Sequence, residues 1–284
     1  MLREVTMHIG KKSRMWALAM VAVAVGSLAT VALIANDDQP PETGPACENF
    51  GPQTPRDIDN KHGENKQTFQ TARDYKEMNL CNIHFHNGAE HKSRAFAMES
   101  TAGEHGHGGG LACAISKSLS QAEMKKPAQE ICKGLKPGDT IEVHWVHTSC
   151  KVKPGKGLGS CMSASCANPE LRVESQVFTL VNDPTAMKFG DFGYGGNIVN
   201  GFHQARGIPS NTGIPVQFMG STTGPKYNDH ICSPLQVTWS VRPECAKLDI
   251  NSLGAWCAQN EFEEDHGHGV RPLIVNPKLF APIK

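Results

Sequence analysis

The chain has 284 residues, with 28 Lys+Arg balanced by 28 Asp+Glu, 13 His, 10 Cys, 28 Gly and 18 Pro. Zero net charge lacks the clustered cations on which phosphate-backbone binding depends, so no nucleic-acid partner is expected. Charged residues at 20% and aromatics at 6% exclude a coiled coil and an acidic disordered chain, and an even cysteine count with no Cys-x-x-Cys pair fits disulfides in an oxidising compartment.

In chain order, the first element is an uncharged apolar run, residues 15–35, preceded by Lys11, Lys12 and Arg14 and followed by Asp37 and Asp38. Its 21 residues are long enough to span a bilayer and exceed the roughly 7–15 of a signal-peptide core. Leu33-Ile34-Ala35 is a poor cleavage site, so residues 1–38 read as a signal anchor, with a cleaved signal peptide as the alternative. Either delivers the rest outside the cytoplasm, periplasmic or secreted. Residues 39–46 are a Pro-rich linker, and 47–284 are long enough for one core.

In that part, strand signals dominate. Asn82 to His86, Thr140 to His147, Val173 to Val181, Gly213 to Phe218 and Leu235 to Val241 are rich in β-branched and aromatic residues or alternate. Helices are predicted over Ser116 to Gly134, where Ser120 and Glu123 have capping-box spacing, and over Asn251 to Glu261. The fold class that follows is a β-dominant α+β single domain. It is built on a large twisted, mostly antiparallel sheet with a few peripheral helices.

The histidines carry the chemistry. His84 and His86 stand two apart on a predicted strand, so both imidazoles leave the same face. His144 is on a second strand, and if the two are neighbours three imidazoles converge. Three histidines with one open position is the catalytic rather than the structural zinc arrangement. A metal-bound imidazole needs an acceptor for its other nitrogen. Asn82 is two before His84 and Glu142 two before His144, each on its neighbour's face. The pairs His105/His107 and His266/His268 lie in glycine-rich stretches and are read as exposed, flexible loops. Cys81, an odd number of residues from His84, is expected to face away from the site. Cys150, Cys161 and Cys166 flank a Gly/Lys loop that they could staple.

These residues resemble the zinc-site motifs of carbonic anhydrases: His84-Phe85-His86, then Gly88-Ala89-Glu90-His91, then Glu142-Val143-His144-Trp145-Val146-His147. Gln53 to Ile58, Gly220 to Pro225, Val237 to Val241 and Arg271-Pro272 resemble further motifs of the alpha class in the same order. The compact NIHFHNGAEH and the stretch CANPELRVESQVFTLVND look more like the delta class. The chain departs from the alpha pattern at Asn87, where that class has Trp, and in the long stretch 98–138, which reads as an insertion.

The resemblance implies an alpha-carbonic-anhydrase-like fold. It also implies a hydro-lyase: reversible hydration of carbon dioxide to bicarbonate and a proton by attack of hydroxide on Zn(2+) held by His84, His86 and His144. Thr222, or Thr223 because the loop is one residue shorter, would accept from the hydroxide and donate to Glu90. Val146 and Trp239 would line the carbon dioxide pocket. No histidine matches the proton-shuttle position, His62 being the nearest candidate, and His91 and His147 read as structural hydrogen-bonding residues. Two other readings compete. A cupin metalloenzyme shares the His84-x-His86-x-x-x-Glu90 spacing but lacks the expected glycines at positions 78 and 97, which are Met and Ala. A non-catalytic extracytoplasmic metal-binding protein would use the His-Gly-His-Gly stretches and hold several weak ions.

Overall fold

The computed structural model describes residue 47 and residues 50–99, 109–128 and 132–284. The apolar run 15–35, the linker and His105/His107 lie outside the described residues. Ten strands occur among them: β1 (Asn79–Asn87), β2 (Phe96–Glu99), β3 (Leu111–Cys113), β4 (Thr140–Thr148), β5 (Leu171–Val181), β6 (Ile198–Val199), β7 (Phe202–His203), β8 (Val216–Ser221), β9 (Gln236–Val241) and β10 (Ala246–Asp249). One α-helix, α1 (Ile250–Ala258), follows β10 directly. Among the described residues no helix is long and apolar enough to cross a membrane.

The main sheet runs β1-β4-β5-β9-β8, with β10 also paired to β5. β1–β4, β4–β5 and β8–β9 are antiparallel, whereas β9 and β10 both join β5 in parallel, β9 along its first half and β10 along its last residues. The β-dominant class is therefore observed, as a mixed sheet. All eleven residues of β5 are buried, as a strand covered on both faces requires.

The sheet separates two apolar clusters. Ile83, Phe85, Val143, Trp145 and Phe178 pack on one face against α1 and Phe189. Val146, Val173, Val177, Phe218 and Trp239 pack on the other. Strand alternation assigns these faces, and one irregularity breaks it. Between Leu80 and Asn82 the β1–β4 register slips, so Cys81 is an extra residue opposite no partner. The bulge turns Cys81 into the Val146 cluster, on the site side, where its sulfur joins Cys161. The expectation that Cys81 faces away fails for that reason. All ten cysteines are paired: Cys47–Cys232, Cys81–Cys161, Cys113–Cys245, Cys132–Cys257 and Cys150–Cys166.

The helix expected over 116–134 is not formed by the described residues of that range, 116–128 and 132–134. A 3-10 turn covers Ala114–Ser118, and the Ser120–Glu123 box closes reciprocally but caps a single turn. Pro127 then biases Lys126 away from helical angles. The helix expected at 251–261 is α1, capped by Asp249, whose carboxylate accepts from the Asn251 and Ser252 N–H groups. The strand placed at 213–218 begins at Val216: Gly213 has φ +86° and Pro215 has no N–H to give a ladder. The described parts of 98–138 form β3, which pairs β2, and are tied down by Cys113–Cys245 and Cys132–Cys257. At the end of β1 the chain turns at Gly88 (φ +83°), where a Cβ would lie 2.6 Å from the Gly110 backbone; this turn delivers Glu90 beneath the histidines.

Candidate metal centre

β1 and β4 bring three imidazoles to one point. His84 is directly opposite His144 in register, and His86 is opposite Glu142. The ring centroids of His84, His86 and His144 are 4.7 to 5.2 Å apart. One ring nitrogen of each lies within 4.8 Å of the other two.

Each ring has an acceptor behind it. His84 Nδ1 is 2.6 Å from Asn82 Oδ1, His86 Nδ1 is 3.1 Å from the Gly269 carbonyl, and His144 Nε2 is 2.9 Å from Glu142 Oε1. The Asn82 amide is oriented by its own donor, since Nδ2 gives to the Gly155 carbonyl at 3.0 Å. With acceptors outside, the outer nitrogens carry the protons. His84 Nε2, His86 Nε2 and His144 Nδ1 then face inward as lone pairs. His86 Nε2 is buried with no partner, and His144 Nδ1 lies 3.3 Å from His84 Nε2 with no proton between them. Three converging lone pairs repel unless a cation takes them. The donor set therefore fits a divalent metal ion of the kind imidazoles bind.

Burial, then the neighbouring imidazoles, keep His84 far below the usual histidine pKa. Burial lowers His86 to about 4 and lowers His144 despite its bond to Glu142. All three are neutral at neutral pH, the form that ligates. Burial alone would raise Glu142, but its contacts with His91 and His144 reverse this and keep it ionised. Its carboxylate also accepts from the Ser175 hydroxyl at 2.6 Å and from the His91 N–H at 3.0 Å. The grouping of His91, Glu142 and His144 is thus accounted for by hydrogen bonds around one carboxylate.

Glu90 is 2% exposed, and burial raises its pKa. Its Oε1 accepts from the Arg271 N–H at 3.0 Å and lies 3.5 Å from His86 Nδ1. The hydroxyl that bears on it belongs to Thr223, which favours the ionised carboxylate although the pair falls outside ordinary hydrogen-bond geometry and Glu90 Oε2 closes no such bond. The Thr222 hydroxyl, expected there, is turned to Ser233 Oγ at 2.5 Å. The Thr222 N–H gives to the Leu235 carbonyl at 3.0 Å, which fixes the loop at this point.

A cavity of about 290 Å³ opens over the histidines. His84, His86, Thr222, Thr223 and His268 edge it, and Val146, Leu158, Leu171, Val173, Val237 and Trp239 form an apolar wall. Val146 and Trp239 thus lie where the sequence pattern put them. His62 is exposed and does not line this cavity. His91 bonds Glu142, whereas the ring nitrogens of His147, expected to hydrogen-bond, are buried without such a partner and the ring lies tilted against Tyr75 on the opposite face.

Two contributors were missed. Gly269 acts through its main chain, for which a sequence carries no signal. His268, read as part of a flexible loop, is fixed along the end of β1: its N–H gives to the Phe85 carbonyl at 2.8 Å, and the His268 carbonyl accepts from the Asn87 N–H at 2.9 Å. Asn87 Nδ2 gives to the Gly267 carbonyl at 3.1 Å, and a Cβ at Gly267 would lie 2.1 Å from Asn87 Oδ1. The glycines there permit close docking rather than mobility. His268 Nε2 is 2.7 Å from Glu264, a bond that raises its pKa against the effect of burial. Asn87 in place of Trp and the following Arg271-Pro272 were the available hints.

A family profile described as delta carbonic anhydrase matches residues 75–252. Among solved structures, the chain is similar to the alpha-carbonic anhydrase of Photobacterium profundum, at 18% identity and a TM-score of 0.29 over 84% of this chain and 90% of that one. It is also similar to the alpha-carbonic anhydrase of Thermovibrio ammonificans in complex with the inhibitor sulfanilamide, at 14% identity and a TM-score of 0.28, covering 78% of this chain and 84% of that one. Both scores are low, so the profile match is the finding that bears on family. Curated proteins gave no match.

Proposed function

The chain belongs to the delta carbonic anhydrase family, and from that premise we propose that it catalyses the zinc-dependent, reversible hydration of carbon dioxide to bicarbonate and a proton. The observation that carries the reading is the convergence of three neutral imidazole nitrogens, each with an acceptor behind it. Zinc bound there supplies the chemistry known for carbonic anhydrases, lowering the pKa of a coordinated water to about 7.

The chain's own residues do the rest. Asn82, the Gly269 carbonyl and Glu142 hold the rings of His84, His86 and His144. Neutral ligands leave the ion's full charge to act on water. The wall of Val146, Leu158, Val173, Val237 and Trp239 excludes water and receives an apolar, linear substrate. In its ionised form Glu90 accepts a hydrogen bond from the Thr223 hydroxyl, so the threonine oxygen accepts from the attacking water and aims it at carbon. Thr223→Ala should therefore retain metal and lose about 10²–10³ in kcat, as when other oriented groups are deleted, while Thr222→Ala loses little. Kinetics on the pair decide between them.

Residues 47–284 form the catalytic domain, following the linker 39–46 and a leader that anchors at 15–35 or is cut. Five disulfides favour a place outside the cytoplasm. Elemental analysis with stopped-flow carbon dioxide hydration tests the reading. One tight zinc per chain with rapid turnover is expected, and His84→Ala should lose both. Several weakly held ions and no turnover would favour a metal-binding protein instead.

A further inference from the structure

The loop between β4 and β5 does more than close the cavity wall. Its residues Gly157 and Leu158 line the cavity, and the loop is fastened to β1 at the bulge. A bulged residue loses its place in the ladder, so the Cys81 carbonyl is available to other donors. It accepts from the Gly155 N–H at 3.0 Å and the Ser160 hydroxyl at 2.8 Å. The Cys81 side chain is bonded to Cys161 at the end of the same loop. One bulged residue thus holds the loop through its main chain and its sulfur.

The loop in turn holds a metal-ligand partner. The Gly155 carbonyl accepts from Asn82 Nδ2, and Asn82 Oδ1 faces His84 Nδ1. An asparagine amide is nearly symmetric in shape, and flipping it would place an NH2 group against Nδ1. His84 would then have to present Nδ1 as the acceptor and carry its proton on Nε2, the nitrogen that faces the other two imidazoles. The Gly155 carbonyl selects the amide orientation, because a flipped amide would set oxygen against oxygen. With Asn82 only 1% exposed, such a contact would be costly.

We propose that the tethered loop 155–161 is a positioning element for His84: the Gly155 carbonyl, held in place by the Cys81–Cys161 disulfide, fixes the Asn82 amide and through it keeps His84 Nε2 free to ligate. This rests on the metal-site reading above. Asn82 and Gly155 act through the His84 ring, so their effect shows in metal retention.

The test is a double-mutant cycle on the zinc-loaded protein, read as the zinc release rate into a competing chelator and as the visible spectrum after cobalt substitution. Asn82→Leu and the double variant C81S/C161S are each expected to release zinc about 10–100-fold faster, the range for lost partners of metal-bound histidines. Their combination should be no faster than Asn82→Leu alone, because both act through one amide. The control C150S/C166S removes the neighbouring disulfide, which does not reach Asn82, and should leave release unchanged. If C81S/C161S does not fold, Ser160→Ala replaces it in the cycle, with a smaller acceleration expected that is likewise absorbed by Asn82→Leu. Additive effects, an unchanged release rate in the loop variant, or equal acceleration in the control would overturn the proposal. A wild-type protein that holds no zinc would instead remove the metal-site reading on which it rests.

Discussion

The two faces of the β1–β4 ribbon are made from the same eighteen strand positions yet do different things. One face presents Asn82, His84 and His86 beside Glu142, His144 and Val146; the other presents Ile83 and Phe85 beside Val143 and Trp145. The first is polar, internally hydrogen-bonded and open to a cavity, while the second is apolar and sealed beneath α1. Chemistry and cohesion are thus interleaved residue by residue, and parity along the strand decides which one a substitution touches.

The largest expected effect tests the cohesive face. Trp145 is fully buried, with its indole N–H given to the Phe192 carbonyl at 2.9 Å. Trp145→Ala should lower stability by about 3–5 kcal/mol in denaturant unfolding. Its folded fraction should still bind zinc with near wild-type affinity. A large affinity loss there would show that the faces are coupled and break the division.

Three residues before it on the same strand, Glu142→Gln tests the other face. It keeps the shape but loses charge-assisted acceptance from His144. Zinc affinity should fall about 10–100-fold by chelator competition, with a modest change in the unfolding midpoint of the metal-free protein.

The most gradual effect, smallest at neutral pH, uses a histidine on the wrong side. His147 is three residues beyond His144, on the opposite face, and burial lowers its pKa to about 3. Between pH 6.5 and about 3 the unfolded chain therefore binds a proton that the folded one does not. Stability from this group is intact above 6.5 and declines as pH falls through that window, at most about 1.4 kcal/mol per pH unit. His147→Phe should flatten that part of the stability curve. An unchanged slope would mean that His147 is not held neutral.

Alternation explains how much was legible. The three imidazoles, Asn82 and Glu142 follow from a period of two on two strands, and strands of β-branched residues announce themselves. What the sequence did not disclose depends on long-range contact. The Gly269 carbonyl is 183 residues from His86, and the disulfide partners are set by which loops meet. The bulge at Cys81 broke the very periodicity that otherwise made the site readable. One residue of loop length left the choice between Thr222 and Thr223 open in the sequence, and kinetics on the two alanine variants decide it. The Ser120–Glu123 box was read correctly as a local motif but did not govern what followed it.

The cysteine connectivity has a consequence for biogenesis. Three of the bridges, Cys47–Cys232, Cys113–Cys245 and Cys132–Cys257, wait for thiols in the last quarter of the chain, as does the Gly269 carbonyl behind His86. A chain that folds as it is made presents its imidazoles while several early thiols still lack their mates, among on the order of 900 conceivable pairings of ten thiols. The ring partners are therefore complete only once the last quarter of the chain is in place, and a host that reshuffles mispaired sulfurs is expected to raise recombinant yield.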